Sequence, residues 1–186
     1  MIIAFNKPYG VISQFTVEVK GQKTLADFKF PKGVYPVGRL DLDSEGLLLL
    51  SDEKPLVDYL LNPRNEHPRT YHVQVEGEMT ENSLKKLTHG ILIQGRKTKP
   101  CMAKKMDDPK YPERNPPIRF RKTVPTSWME VKLIEGKNRQ IRRMTAAVGF
   151  PTLRLIRVAI GKFQIHNLSE GKWETLTEKS RELLRS

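Results

Sequence analysis

The chain has 186 residues, of which 33 are Lys or Arg and 21 are Asp or Glu, so its net charge is +12. Its length suits one domain or two tightly joined halves, and its composition excludes collagen-like chains and extreme disorder. The apolar runs are too short to span a membrane, and a single cysteine, Cys101, excludes an internal disulfide. With no signal-peptide pattern at the N-terminus, these features predict a soluble cytoplasmic protein.

Short runs with β-like composition dominate the chain and predict six strands. In chain order they cover residues 2–5, 34–37, 47–50, 71–76, 128–134 and 153–159. The fourth run alternates strictly, so that Tyr71, Val73 and Val75 share one face of the strand.

Predicted helices are fewer than predicted strands. Thr80 caps a helix that ends at Gly90, a second helix runs from about residue 139 to 148, and Thr177 caps a third. Strands that outnumber helices without alternating with them predict an α+β fold, with a mixed, largely antiparallel β-sheet and flanking helices. We expect this fold to form a single domain over residues 1–186. The Pro-rich stretch at 109–125 predicts a long surface loop.

The positive charge is concentrated in one part of the chain. Residues 96–143 contain 15 Lys and Arg against five acidic residues, which leaves the remainder nearly neutral. A solvated basic face that serves only solubility is the simpler interpretation. A nucleic-acid partner is favoured, because binding to phosphates rewards such concentration of charge.

An acidic cluster follows the second strand, in the string GRLDLDSEG at residues 38–46. Three interpretations fit it: half of a calcium-binding loop, a turn that precedes the leucine strand, or a catalytic carboxylate with Arg39 beside it. The first needs an entering helix, whereas the preceding residues predict a strand that breaks into a turn.

Four strings, in the right order, resemble the motifs of the pseudouridine synthases. They are NKPYG at 6–10, GRLD with SEGL at 38–47, TYHV at 70–73 and EGKNRQIRRM at 135–144. The KNRQ form is that of the RsuA-type branch. RNPPIR at 114–119, PTSW at 125–128 and GFPTLRLIR at 149–157 resemble a member of this branch that acts on the large ribosomal subunit.

The resemblance implies the catalytic fold of that family and isomerisation of a uridine in ribosomal RNA, with 23S RNA as the expected substrate. Most members of the branch carry an S4 domain before the catalytic one. Strand residues here begin at Ile2, so we expect no S4 domain. The family reaction is redox-neutral, so we expect no cofactor and no metal, and also no membrane association and no obligatory protein partner.

Each candidate site residue takes its role from the resemblance. Asp41 is the catalytic carboxylate, Tyr71 stacks on the target uracil, and Arg142 keeps the carboxylate ionised. Arg39 fills the space left by the flipped nucleotide or grips a neighbouring phosphate. The predicted RNA-binding residues are Arg39, Arg119, Arg121, Lys137, Arg139 and Arg143. Counted at 100° per residue from Arg139, the three arginines of the second helix lie within a ~100° arc, opposite an apolar face.

Two other functions remain open at this point. A base-releasing nucleosidase would use Asp43 or Glu45 as a second carboxylate beside Asp41. A non-catalytic RNA-binding protein of the same fold would keep the basic face but would gain nothing from Asp41.

Overall fold

The described residues, 1–119 and 121–185 of a computed structural model, form thirteen strands, four α-helices and two short 3₁₀ helices. The strands are β1 Ile2–Lys7, β2 Val11–Ile12, β3 Lys23–Thr24, β4 Tyr35–Pro36, β5 Glu45–Ser51, β6 Arg69–Glu76, β7 Leu92–Ile93, β8 Arg96–Lys97, β9 Met102–Met106, β10 Thr126–Leu133, β11 Thr152–Ile160, β12 Phe163–Gln164 and β13 Trp173–Thr175. The α-helices are α1 Lys54–Leu61, α2 Glu81–Thr88, α3 Gln140–Ala147 and α4 Glu178–Arg185, and the 3₁₀ helices are Leu25–Phe28 and Pro63–Asn65.

The chain packs as two units. The terminal unit comprises Met1–His67 and the described residues from Ile156 onward, and the central unit comprises the described residues of Pro68–Leu155. Each unit has a hydrophobic core of its own.

In the terminal unit, β1 lies between β5 and β13 and pairs with both in the antiparallel sense. β5 also pairs antiparallel with β4 and, through Glu45 and Gly46, parallel with the end of β11. Apolar side chains cover both faces of these strands. One face packs against α1 and α4, and the other brings Phe5 against Phe28 and Phe30, with ring centroids 4.7 and 5.1 Å away. Burial on both faces explains why β1 and β5 have continuous apolar runs.

In the central unit, β10 pairs antiparallel with β6 on one side and with β9 on the other. One face of these strands is buried under α2 and α3. The core residues there are Val73, Val75, Met79, Leu84, Leu87, Met129, Val131, Leu133, Ile141, Met144 and Leu155. The opposite face carries polar side chains such as Gln74 and Glu130, together with Trp128, which is buried against Tyr111 of the Pro-rich stretch.

The α+β prediction is confirmed, and all six predicted strands are present within one or two residues at most ends. Thr80 caps α2 by accepting a hydrogen bond from the Ser83 amide, and Thr177 caps α4 through the Ser180 amide. Helix α1 was not predicted. Its eight residues follow Glu53, whose side chain makes no capping hydrogen bond, and they include Pro55 in the first turn.

The helix predicted from residue 139 begins one residue later, because Arg139 has a left-handed backbone with φ of 50°. The helical arc predicted for three arginines is therefore wrong for Arg139, which precedes the first turn. The Pro-rich stretch is confirmed as an excursion, since its described residues contain no helix or strand before β10. Within the described ranges, no helix has the length and apolar character needed to cross a bilayer.

Candidate functional site

Asp41 lies in a tight turn between β4 and β5, in the terminal unit. The Ser44 amide donates to the Asp41 carbonyl oxygen at 3.0 Å and closes the turn. Asp41 and Asp43 are half-buried, whereas Leu42 between them is exposed. Because a strand precedes this turn and another follows it, the calcium-loop interpretation is wrong: such a loop joins two helices.

Glu45 differs from the two aspartates of the turn. It is the first residue of β5, only 4% exposed, and is paired in register with Ile156. This position within the strand ladder makes it a poor partner for a reacting sugar. Of the two acids that a nucleosidase could use beside Asp41, only Asp43 lies in the turn itself.

Lys7 is a buried cation next to this acidic turn. Its side chain is fully buried at the end of β1, and Nζ donates to the carbonyl oxygens of Pro8 at 2.8 Å and Val11 at 2.7 Å. Burial lowers its pKa from 10.5 to about 7, and the charges of Glu45, Asp43 and Asp41 oppose this shift. The sequence singles out Lys7 only as part of the NKPYG string at 6–10. The structure adds that its charge acts on the acidic cluster.

We predict that the stability contribution of Lys7 depends on pH. The folded side chain releases its proton near pH 7 and the unfolded one near 10.5, so between these values the unfolded chain binds more protons. The free energy of unfolding should therefore rise with pH in this window, by at most ~1.4 kcal/mol per pH unit. Below about pH 7 the buried Lys7 is charged, and its destabilising effect on the folded chain is fully present. Arg157 faces Lys7 as well, and its positive charge adds to the lowering of the Lys7 pKa.

Urea unfolding of the natural chain and of Lys7→Met, from about pH 6.5 to about pH 9.5, measures this contribution. Subtracting the two curves removes the titration of groups that both chains share. The difference should move in favour of the natural chain as pH rises, and a difference that stays constant would contradict the prediction.

Arg39 is exposed at the start of the same loop. Leu40, between Arg39 and Asp41, is 6% exposed and fixes the loop in the core. Alternation about Leu40 thus leaves the guanidinium in solvent, where it is accessible to a phosphate.

Tyr71 lies on β6 in the central unit. Its half-buried ring packs against the core on the same face as Val73 and Val75, which are fully buried. The predicted face of this strand is confirmed. Tyr71 is therefore held by the core while part of its ring stays accessible.

Arg142 and Arg143 lie in the first turn of α3, and both are half-buried. Arg142 Nη1 donates to the Thr152 carbonyl oxygen at 3.4 Å. Arg143 donates to Gln94 and, at 2.8 Å, to Asn138 Oδ1. These hydrogen bonds orient both guanidinium groups from within the central unit.

Gln140 organises the loop before α3 and was not among the residues predicted from the sequence. It is 3% exposed, its Nε2 donates to Glu135 Oε1 at 2.7 Å, and its Oε1 accepts from the Lys137 amide at 3.0 Å. These bonds fold residues 135–140 so that Lys137 and Arg139 stay exposed. A polar residue at the start of an apolar helix face was the signal available for it.

The Pro-rich stretch is attached to the sheet of the central unit through Tyr111. Its hydroxyl lies 2.6 Å from His72 Nδ1, and its ring centroid lies 5.8 Å from that of Trp128 and 5.6 Å from the Arg154 guanidinium carbon. Arg154 Nη1 also donates to the Pro112 carbonyl oxygen at 2.9 Å. Burial lowers the pKa of His72, which favours the neutral ring at this contact.

The central unit carries exposed basic side chains, both in this stretch and outside it. They are Arg96, Lys97, Lys104, Lys105, Lys110, Arg119, Arg121, Lys122, Lys137 and Arg139. Some form ion pairs at the surface, such as Lys104 with Glu130 at 3.0 Å and Arg121 with Glu76 at 3.7 Å. Exposed pairs of this kind are weak, so most of the charge remains available to a polyanion.

The described residues hold no group of three His, Cys, Asp or Glu side chains that suits a metal ion. Cys101 is half-buried, and burial raises the pKa of its thiol to about 11, which leaves it protonated and unreactive.

Several known proteins are similar to this chain in sequence or in fold. A family model described as RNA pseudouridylate synthase matches residues 1–147. Over 175 residues the chain is 50% identical to the ribosomal large subunit pseudouridine synthase E of Xanthomonas campestris pv. campestris, covering 93% of this chain and 94% of that protein. Over 176 residues it is 48% identical to a protein of the same name from Vibrio vulnificus, covering 95% and 75%. A solved structure described as pseudouridylate synthase has a TM-score of 0.82 at 27% identity, covering 98% and 73%.

Proposed function

The chain belongs to the RNA pseudouridylate synthase family, and from this premise we propose that it isomerises one uridine of 23S ribosomal RNA, with Asp41 as the catalytic carboxylate. The chain is a pseudouridine synthase that acts on ribosomal RNA. The large subunit as its target follows from the names of relatives that are about half identical to it over nearly the whole chain.

The Asp41 turn is the observation that supports this catalytic role. The carboxylate sits on a backbone held by hydrogen bonds and lies within the field of the buried Lys7 ammonium. The reaction needs an ionised carboxylate, whether Asp41 attacks the sugar or accepts a proton from it.

The reaction is an isomerisation in which every atom is retained. The bond between N1 of the base and C1′ of the ribose breaks, the freed base rotates, and C5 bonds to C1′. The proton lost from C5 goes to solvent, and N1 gains one. No electrons are exchanged with a partner, so we propose that the chain needs no cofactor and no metal.

We assign roles in the reaction to Tyr71 and Arg142 as well. The target nucleotide must leave its stack to expose the bond that breaks. The partly accessible ring of Tyr71 offers a face for the flipped base, and stacking of this kind contributes ~1–3 kcal/mol. From the resemblance to the family, we assign to Arg142 the role of keeping Asp41 charged, and we assign Arg39 to the space vacated by the base or the phosphate beside it.

We assign RNA binding to basic residues of the central unit, together with Arg39. The assigned set is Arg39, Arg119, Arg121, Lys137, Arg139 and Arg143. Bacterial ribosomal RNA is made and modified in the cytoplasm, and we place the chain there, with RNA as its partner and no obligatory protein partner.

If Lys137 contacts a phosphate, Lys137→Gln should weaken RNA binding and reduce the slope of log affinity against log salt by about one. Filter binding between about 50 and about 200 mM salt measures that slope. Lys179→Gln is the matched control, because it removes an equally exposed charge from α4 of the terminal unit. Equal slopes for both variants would move the RNA-binding surface away from Lys137.

Substrate choice is tested with the purified chain and two RNAs labelled with tritium at C5 of uridine. Isomerisation releases this label to water. We expect release from 23S RNA, approaching one equivalent per molecule, and none from 16S RNA. Release from 16S RNA alone would overturn the assignment to the large subunit. A chain that binds RNA without releasing tritium from any ribosomal RNA would be a non-catalytic binding protein of the same fold.

A further inference from the structure

The Ser13 side chain makes two hydrogen bonds to one residue, Leu40, which immediately precedes Asp41. Ser13 Oγ donates to the Leu40 carbonyl oxygen at 2.8 Å and accepts from the Leu40 amide at 3.1 Å. Both residues are buried, at 3% and 6% exposed. The hydroxyl thus satisfies both backbone groups of Leu40, as a neighbouring strand would.

The other side of Asp41 is tied to the same segment of the chain. The Gly10 amide donates to the Leu42 carbonyl oxygen at 2.8 Å. Lys7 Nζ in turn donates to the carbonyl oxygen of Val11 at 2.7 Å, between Gly10 and Ser13. Residues 10–13 therefore hold the backbone on both sides of Asp41. The Ser13 side chain holds Leu40 before it, and the Gly10 amide holds Leu42 after it.

We propose that Ser13 is a positioning residue for Asp41, which fixes the approach of the catalytic carboxylate to the sugar by holding the Leu40 backbone. This inference rests on the proposed function of Asp41. Without the hydroxyl, the Leu40 amide and carbonyl would be left buried without these partners, and the backbone would shift to find others. Small misplacements of a reacting group lower turnover strongly, by ~10²-fold for about 1 Å.

Ser127 in the central unit provides a matched control. Its hydroxyl donates to the Gly77 carbonyl oxygen at 2.8 Å and accepts from the Met79 amide at 2.9 Å, and the residue is 8% exposed. Ser127→Ala therefore removes one donated and one accepted hydrogen bond to the backbone, as Ser13→Ala does. The two variants should show similar decreases in the urea midpoint of unfolding, whereas only one of them should lose turnover.

The test compares kcat, KM and RNA affinity for both variants at a temperature where both remain folded. For Ser13→Ala we expect kcat to fall by at least about tenfold while RNA affinity stays within about twofold. Ser127→Ala should keep kcat within about twofold of the natural chain. Equal kcat for the two alanine variants, or a loss confined to RNA affinity, would overturn the role of Ser13.

Ser13→Cys keeps the test decisive if Ser13→Ala fails to fold. The thiol retains the number of heavy atoms at the buried position but forms weaker hydrogen bonds. Its kcat should lie below that of the natural chain, and an unchanged kcat would overturn the proposal. If the natural chain itself shows no turnover on ribosomal RNA, the proposed function fails. If the natural chain turns over but its Ser13 variants are equally fast, only the role of Ser13 fails.

Discussion

Asp41→Asn is expected to abolish isomerisation while leaving the fold and RNA binding intact. The amide is nearly isosteric with the carboxylate, and the turn is held by backbone hydrogen bonds and by Ser13. An amide can neither attack the sugar nor accept its proton, so the chemical step has no alternative route. Affinity for RNA should hold or rise, because a negative charge close to phosphates is removed.

Tritium release from labelled 23S RNA, alongside a filter-binding curve, checks this expectation. Asp43→Asn is the matched control, since it removes one carboxylate charge from the same turn, is equally half-buried and acts on the same Lys7 ammonium. We expect Asp43→Asn to retain most of the turnover. Near-native release by Asp41→Asn would show that another group performs the role assigned to Asp41.

Gly46→Ala should strongly destabilise the terminal unit. Gly46 has φ of 96°, and a Cβ at this position would lie 2.3 Å from the carbonyl oxygen and 2.9 Å from the amide nitrogen of Arg157 on the paired strand. Both contacts involve backbone, which cannot move without separating β5 from β11. Strain and clash together should lower the free energy of unfolding by about 3–5 kcal/mol, a large part of the stability of a typical domain.

Gly33→Ala separates the two causes of that loss. Gly33 also has a left-handed backbone, with φ of 86°, but an added Cβ there meets nothing within 4 Å. It should therefore show only the conformational strain, about 1 kcal/mol. Urea unfolding of both variants measures the difference, and equal losses would mean that the approach of Arg157 to Gly46 does not limit stability.

Local patterns in the sequence were enough to predict six of the thirteen strands that the described residues form, and the cap residues of two helices. β6 shows strict alternation, and β1 and β5 are continuous apolar runs, so each could be recognised without knowing its neighbours. Helix α1 was missed because no side chain caps its first turn. The start of α3 was misplaced because nothing in the string around Arg139 marks a left-handed backbone.

The candidate site divides in the same way. Asp41, Tyr71 and Arg142 were predicted because the strings around them resemble family motifs. The spacing of polar and apolar residues would not have identified them. The environments of Lys7 and Ser13 could not be predicted, because each depends on a backbone group brought close only by the fold. The pairing of His72 with Tyr111 likewise joins residues 39 positions apart, one on β6 and the other in the Pro-rich stretch.

Pseudouridine mapping in ribosomal RNA tests the central claim, that Asp41 of this chain isomerises one uridine of the large subunit. The RNA comes from cells that lack the chain and from the same cells supplied with the natural chain or with Asp41→Asn. We predict that one pseudouridine of 23S RNA is lost in its absence, returns with the natural chain and does not return with the variant. A complete set of pseudouridines in the cells that lack it, or restoration by Asp41→Asn, would contradict this claim.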